Sequence, residues 1–125
     1  SFDIITGVIG VTKPDIIICV DTLASSAPGR LSKAVQITDV GISPGSGVNN
    51  AKRHLDGGSL GVPVIAIGVP LVIYAKNIVR EYSDGLKKVD INDEVLSSLV
   101  VTAKDIDLVV KDFGFVLSNA LNATL

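Results

Sequence analysis

The chain has 125 residues, of which 47% are hydrophobic but only 4% aromatic. This length suits one domain with a core of Val, Ile, Leu and Ala, which favours a β-sheet packed by aliphatic helices over a disulfide scaffold or a disordered segment. The 11 basic and 13 acidic residues are spread along the chain and give a net charge of −2, so no basic stripe predicts a nucleic-acid partner.

The first predicted element is an amphipathic helix over residues 2–12. Phe2, Ile5 and Ile9 form one apolar stripe, and Pro14 ends the segment. Because the sequence is helical from its first residues, we expect residues 1–125 to be the carboxyl-terminal part of a single domain whose amino-terminal part is missing. No apolar stretch approaches the ~18 residues that a membrane span needs, so no membrane contact is expected.

A strand that is covered on both faces is predicted over residues 15–20, because every residue from Ile16 to Val20 is apolar. Cys19, the only cysteine, lies inside this run, so no disulfide forms within the chain and a reducing compartment is expected. A cysteine among apolar residues usually behaves as a small hydrophobic side chain, which argues against a nucleophilic Cys19. Asp21 follows the run, and is either a site carboxylate at the rim of the sheet or the N-cap of a helix after it.

A second strand is predicted over residues 34–38, with Asp39 at its end. Asp39 is either a second site carboxylate or part of an Asx-type turn that closes the strand. The tripeptide Asp39-Val40-Gly41 is similar to the Asp-Thr-Gly of pepsin-like proteases. The alternation of strands and helices in this chain is nevertheless wrong for that all-β fold.

A glycine-rich loop follows over residues 42–50. It lacks the Gly-Lys-Ser/Thr of a P-loop and the third glycine of a dinucleotide fingerprint. Its glycines either supply unusual backbone angles only, or its exposed N–H groups and Asn side chains form a substrate-binding wall. On the second interpretation the candidate substrate-binding residues are Asp39, Gly45, Ser46, Gly47, Asn49 and Asn50.

His54 is the only histidine in the chain. Without a cluster of Cys, Asp or Glu beside it, it gives weak support for a metal site, and no metal or other cofactor is predicted. A Ser-His-Asp triad is formally possible, but Ser46 stands in Pro-Gly-Ser-Gly-Val, without the strand-to-helix context of a nucleophile elbow.

The third strand is the clearest, over residues 62–69, bounded by Gly61 and Pro70. Pro63 is expected among its first residues, where a missing N–H is tolerated. A helix follows, and then a polar segment over residues 83–92 that is typical of a loop. The helix is indicated by apolar residues at helical spacing, namely Ala75, Ile78, Val79 and Tyr82.

The last predicted helix begins at Thr102 as N-cap, with Asp105 at the spacing of a capping box. Its apolar face consists of Ile106, Val109, Val110, Phe113, Val116, Leu117, Ala120 and Leu121. Buried strands that alternate with helices predict an α/β fold, a three-layer sandwich with a mostly parallel sheet and helices on both faces. Functional groups in such sheets gather where strands end, which singles out the loops that open at Asp21 and Asp39.

A set of these segments, taken in order, resembles the germination protease family. The segments are Lys13-Pro14-Asp15, Val20-Asp21-Thr22-Leu23-Ala24, residues 35–42, Pro44-Gly45-Ser46-Gly47-Val48, and residues 60–70, 101–107 and 119–122. The resemblance covers nearly the whole chain apart from residues 83–99.

The resemblance implies an endopeptidase, made as a zymogen that processes itself, which degrades small acid-soluble DNA-protecting proteins in the cytoplasm of the forespore and spore core. It also implies an oligomer, the phosphorylase/hydrolase-like fold of the hydrogenase maturation proteases, and an atypical aspartic mechanism. The family's catalytic aspartate in a Val-Asp-Ala-Leu-Ala motif corresponds to Asp21. Two carboxylates that share one proton would let one activate water while the other polarises the peptide carbonyl.

The chain also departs from the family pattern. The family's other aspartate lies upstream of the residues present here, so this chain alone is expected to be inactive. Thr22 and Val40 replace the usual Ala and Thr, Leu71 and Tyr74 stand where Thr and Asp are usual, and a longer insertion before the last segment is absent. Two alternatives therefore stay open: a metal-binding maturation-type peptidase that uses Asp21 and His54, and a non-catalytic relative that kept the fold.

Overall fold

Helices and strands alternate along the chain in a computed structural model that describes residues 2–43, 54–83 and 93–125. Within these ranges the elements are α1 (Phe2–Thr12), β1 (Ile17–Ser25), a 3₁₀ turn (Pro28–Arg30), β2 (Gln36–Thr38), α2 (Gly57–Leu60), β3 (Val64–Tyr74), α3 (Ala75–Tyr82), α4 (Asp93–Ser98), β4 (Val100–Thr102) and α5 (Ile106–Thr124). The predicted helices over residues 2–12 and 75–82 are confirmed, and β2 lies within its predicted range.

The strands form one mixed sheet around β3. β1 runs parallel to β3 from its first residue to its last, whereas β2 and β4 run antiparallel to β3. Because β1 occupies one edge of β3 throughout, β2 and β4 share the other edge, β2 opposite residues 66–68 and β4 opposite residues 72–74. The α/β prediction is confirmed. The prediction of a mostly parallel sheet is wrong for the described residues, since strands of three residues carry no periodicity that reveals their direction.

The core lies where α1 and α2 meet the sheet. Ile42, Leu55 and Ala66 are buried, and the half-buried side chains packed against them are Phe2, Ile5, Cys19, Leu23 and Leu60. The predicted stripe of α1 is confirmed, because Phe2, Ile5 and Ile9 are half-buried while the rest of that helix is exposed. The helix ends at Thr12, and Lys13 after it adopts a left-handed φ of 46° immediately before Pro14.

Both long strands continue past their predicted ends. β1 extends to Ser25, and β3 extends to Tyr74 with Pro70 inside it. The pairing register shifts just after Leu23 and Pro70, and Leu71 is the extra residue of the resulting bulge. A bulge tolerates a proline because the ladder is locally interrupted there. The prediction that Pro70 bounds the strand is therefore wrong.

The predicted capping box at Thr102 is wrong. Thr102 ends β4, and its hydroxyl donates to the carbonyl of Leu71 at 2.8 Å, while Asp105 stands at the N-cap of α5 without a side-chain cap bond. A capping box forms instead at α2, where the Ser59 N–H donates to Asp56 at 2.7 Å and the Asp56 N–H donates to the Ser59 hydroxyl at 3.3 Å. The bond from the Ser59 backbone lowers the pKa of Asp56 below its ordinary value, so the cap is ionised at neutral pH.

The predicted apolar face of α5 is confirmed in part. Ile106, Val109, Phe113, Leu117 and Leu121 are half-buried, but Val110 and Val116 are 49% and 57% exposed. The predicted polar loop after Ser83 lies outside the described residues. Among the helices that the structure describes, none has both the length and the apolar character needed to cross a lipid bilayer.

Candidate functional site

Asp21 lies in the middle of β1 and not at the end of the strand. It stands opposite Gly68 of β3, which stands opposite Gln36 of β2. The expectation of a carboxylate at a strand end was therefore wrong, and so was the helix N-cap interpretation, since the residues after Asp21 continue the strand to Ser25. The apolar run stops at Asp21, but the backbone pairing continues because β3 is long enough to accompany it.

The Asp21 side chain is half-buried and held by its own strand. The backbone N–H of Thr22 donates to its Oδ1 at 2.8 Å. Because side chains alternate along a strand, Asp21 shares a face of the sheet with Cys19 and Leu23, which both pack against the core. The Leu23 side chain fills the space above Gly68 that a Cβ would occupy. The strand thus sets the carboxylate beside an apolar leucine on the core face of the sheet.

The thiol of Cys19, two residues before Asp21, is affected by the charge of this carboxylate. Burial, and then the negative charge of Asp21, raise the pKa of the Cys19 thiol above its ordinary value. The thiol is therefore protonated at neutral pH, which agrees with the predicted role of Cys19 as a small hydrophobic side chain.

Replacing Asp21 with Asn should speed alkylation of Cys19 by iodoacetamide at about pH 8. The substitution removes the charge that raises the pKa of the thiol, so the reactive thiolate becomes a larger fraction at that pH. Both proteins should react faster as the pH rises, and their rates should converge above both pKa values. Mass spectrometry of a time course measures the rates. Asp112→Asn on α5 is the matched control. An unchanged alkylation rate in Asp21→Asn would show that the charge of Asp21 does not affect the Cys19 thiol.

A cleft of about 290 Å³ opens between the sheet and α5 at Asp21. Its lining residues are Val20, Asp21 and Thr22 of β1, Val69 and Leu71 of β3, and Val110, Phe113, Gly114 and Leu117 of α5. The walls are mostly apolar, so the cleft suits an apolar side chain. Asp21 lies between Val20 and Thr22 in this lining, but by strand alternation its carboxylate projects from the other face of the sheet, with Cys19 and Leu23. Leu71 belongs to this wall, whereas Tyr74 does not line the cleft.

Asp39 follows β2, as predicted, and is exposed. The turn there uses Thr38, whose hydroxyl accepts the N–H of Val40 at 3.2 Å. Because β2 runs antiparallel to β3, Asp39 lies toward the amino ends of β1 and β3, and the cleft at Asp21 does not include it. Across the three strands, Asp21 is paired with Gly68, and Gly68 is paired with Gln36 and not with Asp39. The substrate-binding role of Asp39 stays a prediction.

The remaining substrate-binding predictions fall on residues that the structure does not describe, namely Gly45, Ser46, Gly47, Asn49 and Asn50. What the structure describes is the pair of segments on either side of this loop. The backbones of Ile42 and Leu55 exchange hydrogen bonds of 2.9 and 2.8 Å, so the loop begins and ends side by side. Gly41, just before it, has a φ of 89° and lies against Leu55 and Asp56.

His54 joins the two sides of this loop. Its Nε2 lies 3.0 Å from the carbonyl oxygen of Val40, and its Nδ1 lies 2.9 Å from the hydroxyl of Ser43. A carbonyl oxygen only accepts, so Nε2 carries the proton in this contact. Both ring nitrogens are thus engaged in holding the loop ends. In residues 2–43, 54–83 and 93–125, no three His, Cys, Asp or Glu side chains are grouped as metal ligands would be.

Sequence reasoning singled out Asp21 but missed the residues around it. Gly68 and Gln36 share its row, and α5 forms the opposite wall of its cleft. Strand register is fixed by pairing between distant segments, so a single sequence carries no local signal for this row.

Comparison with known proteins places these residues among germination proteases. The sequence pattern that describes germination proteases matches residues 1–89. The germination protease of Caldanaerobacter subterraneus subsp. tengcongensis is 40% identical over 98% of this chain and 47% of its own length. Those of Clostridium acetobutylicum and Bacillus subtilis are each 36% identical over 98% of this chain, and over 46% and 49% of their own lengths. The chain thus spans about half the length of these curated relatives.

Proposed function

The chain belongs to the germination protease family, and on that premise we propose that Asp21 is one of the two catalytic carboxylates of a spore endopeptidase. The proposed substrates are small acid-soluble spore proteins, cut in the cytoplasm of the spore core at germination. The observation that carries the proposal is a half-buried aspartate in mid-strand, held by the Thr22 N–H, inside the segment that matches the family. Substitution of Asp21 in the full-length protein tests it.

In this mechanism Asp21 acts as a general acid or base. The Thr22 N–H fixes one carboxylate oxygen and so sets the direction of the carboxylate. A second carboxylate, sharing a proton with Asp21, would polarise the peptide carbonyl while Asp21 activates water.

We place the second carboxylate in the part of the full-length protein that this chain does not span. In the described residues β1 pairs with β3 on one edge only, so its other edge can accept a further strand. The core contacts of Cys19 and Leu23 and the α5 contacts of Val20 and Thr22 alternate along β1, which supports helices on both faces and thus a three-layer sandwich. Ile4, Val8 and Val11 of α1 are exposed and would suit a homo-oligomer contact.

The isolated chain should not cleave a small acid-soluble spore protein, because one carboxylate cannot fill both roles. The full-length protein, tested beside it on the same substrate, should cleave it. Gel electrophoresis and mass spectrometry of the products measure both. Cleavage by the isolated chain that Asp21→Asn abolishes would overturn the two-carboxylate mechanism but keep Asp21. Cleavage that survives the substitution would overturn both the two-carboxylate mechanism and the catalytic role of Asp21.

One observation favours a second candidate function. Leu71 lines the cleft between the sheet and α5, at a position where the family resemblance implies Thr. A non-catalytic relative that kept the fold would tolerate this change, and absence of cleavage by the full-length protein would support that reading.

A further inference from the structure

Ser43 and His54 form a hydrogen-bonded pair next to the backbone bridge between Ile42 and Leu55. The Ser43 hydroxyl lies 2.9 Å from Nδ1 of His54, and Nε2 of the same ring lies 3.0 Å from the carbonyl oxygen of Val40. Because that carbonyl needs a donor, the neutral imidazole carries its proton on Nε2, and Nδ1 accepts the hydrogen of the Ser43 hydroxyl. A nucleophile, a base and a group that orients the base are therefore in contact, which is the arrangement that activates a serine in hydrolases.

The backbone around this pair is fixed by contacts that use neither the ring nitrogens nor the Ser43 hydroxyl. Ile42 and Leu55, the chain neighbours of the pair, are 7% and 3% exposed and exchange two backbone hydrogen bonds. The Ser59 hydroxyl donates to the carbonyl of His54 at 3.0 Å. The fold itself thus brings the hydroxyl and the imidazole together, so little ordering is needed before a proton is transferred.

The pair is a dyad and not a triad. Asp56, two residues after His54, accepts the Ser59 N–H at 2.7 Å as the N-cap of α2, so the carbonyl of Val40 takes the orienting role that a carboxylate has in a triad. The serine is Ser43, whereas the sequence pattern directed attention to Ser46, which lies outside the described residues.

The dyad is open to solvent and separate from the candidate site at Asp21. Ser43 is half-buried and His54 is exposed, so a small molecule can reach the hydroxyl. Neither residue lines the cleft between the sheet and α5. An activity of the dyad would therefore not depend on Asp21.

We propose that Ser43, with His54 as its base, accepts acyl groups from small activated esters. The Ser43 oxygen attacks the carbonyl carbon of the ester while its proton passes to Nδ1 of His54. The bond from that carbon to the leaving oxygen then breaks, and the leaving alcohol takes the proton from Nδ1. Water next attacks the acyl-serine with Nδ1 as base, and the proton returns to the Ser43 oxygen as the acid leaves. The sum is ester plus water giving acid plus alcohol, which goes beyond the proposed peptidase function.

The first test traps the nucleophile with an alkyl fluorophosphonate, from which an activated serine displaces fluoride to form a stable adduct. After digestion of the labelled 125-residue chain with trypsin, the adduct should lie on Ser43 within the peptide of residues 34–52, and fragment spectra locate it. His54→Gln, whose amide forms hydrogen bonds but takes up no proton, should slow this labelling about 10²-fold. Ser118→Ala is the matched control, because the Ser118 hydroxyl on α5 is exposed and donates to a carbonyl instead of a base. It should be labelled at the wild-type rate.

The second test measures turnover of p-nitrophenyl acetate and keeps the imidazole in place. Ser43→Ala should release p-nitrophenol as slowly as His54→Gln, while circular dichroism shows that each variant is folded. Hydrolysis that survives Ser43→Ala would mean that the imidazole alone reacts with the ester. That result, an adduct on a serine other than Ser43, no adduct at all, or equal labelling of wild type and His54→Gln would overturn the proposal. None of these readouts involves cleavage of a peptide bond, so failure here leaves the proposed role of Asp21 to its own test.

Discussion

Replacing Asp21 with Asn in the full-length protein should reduce cleavage of a small acid-soluble spore protein about 10³-fold. Asparagine has the same shape, and its side-chain oxygen can still accept the Thr22 N–H that Asp21 accepts at 2.8 Å. What it loses is the ability to take up and release a proton. The fold should therefore survive while the chemistry fails. Initial rates with substrate in excess, measured by densitometry of gels, give the ratio.

Asp112→Asn is the matched control for this experiment. Asp112 is exposed on α5 and does not line the cleft at Asp21, so the same change of chemistry there should leave the rate within about twofold, as is usual for surface substitutions. Thermal unfolding of both variants separates a loss of chemistry from a loss of fold. Wild-type activity in a folded Asp21→Asn protein would remove Asp21 from the mechanism.

Gly41→Ala should lower the free energy of unfolding by about 3 kcal/mol. The φ of 89° at Gly41 is left-handed, and a Cβ there would lie 2.7 Å from the Asp56 Cβ and would overlap the carbonyl oxygen of Leu55. To relieve these contacts, the backbone bridge between Ile42 and Leu55 must open, and both side chains belong to the core. Urea denaturation followed by circular dichroism measures the change.

Gly61→Ala distinguishes the cost of backbone strain from the cost of the steric overlap at Gly41. Gly61 also has a left-handed φ, 68°, but a Cβ there meets no atom within 4 Å. Its substitution should therefore cost only the backbone strain, about 1 kcal/mol. If Gly41→Ala is no more destabilising than Gly61→Ala, the close approach of Gly41 to Leu55 and Asp56 is not a feature of the protein in solution.

The elements that sequence patterns predict well here are those with local signals. The stripe of Phe2, Ile5 and Ile9 predicts α1, and the apolar runs predict the first halves of β1 and β3. The same local signals failed where pairing decides the structure. Asp21 and Pro70 each look like the end of a strand, yet both lie inside one, because the partner strand continues past them.

Short elements were missed for a related reason. β4 has three residues and α2 has four, too few for either period to show in the sequence. Without β4, the sequence offered nothing against a mostly parallel sheet. The same holds for the candidate site. Asp21 is found from its motif, but its row with Gly68 and Gln36 arises from contacts between distant segments.

The position of β3 also determines how the described sheet comes apart. β1, β2 and β4 each pair with β3 and with no other strand among the described residues. Release of β3 would therefore detach all three neighbours at once, whereas fraying of β2 or β4 leaves the rest of the ladder intact. Most of the cooperativity of unfolding thus resides in one strand, whose buried residues include Val64, Ala66, Ile67, Val69 and Ile73.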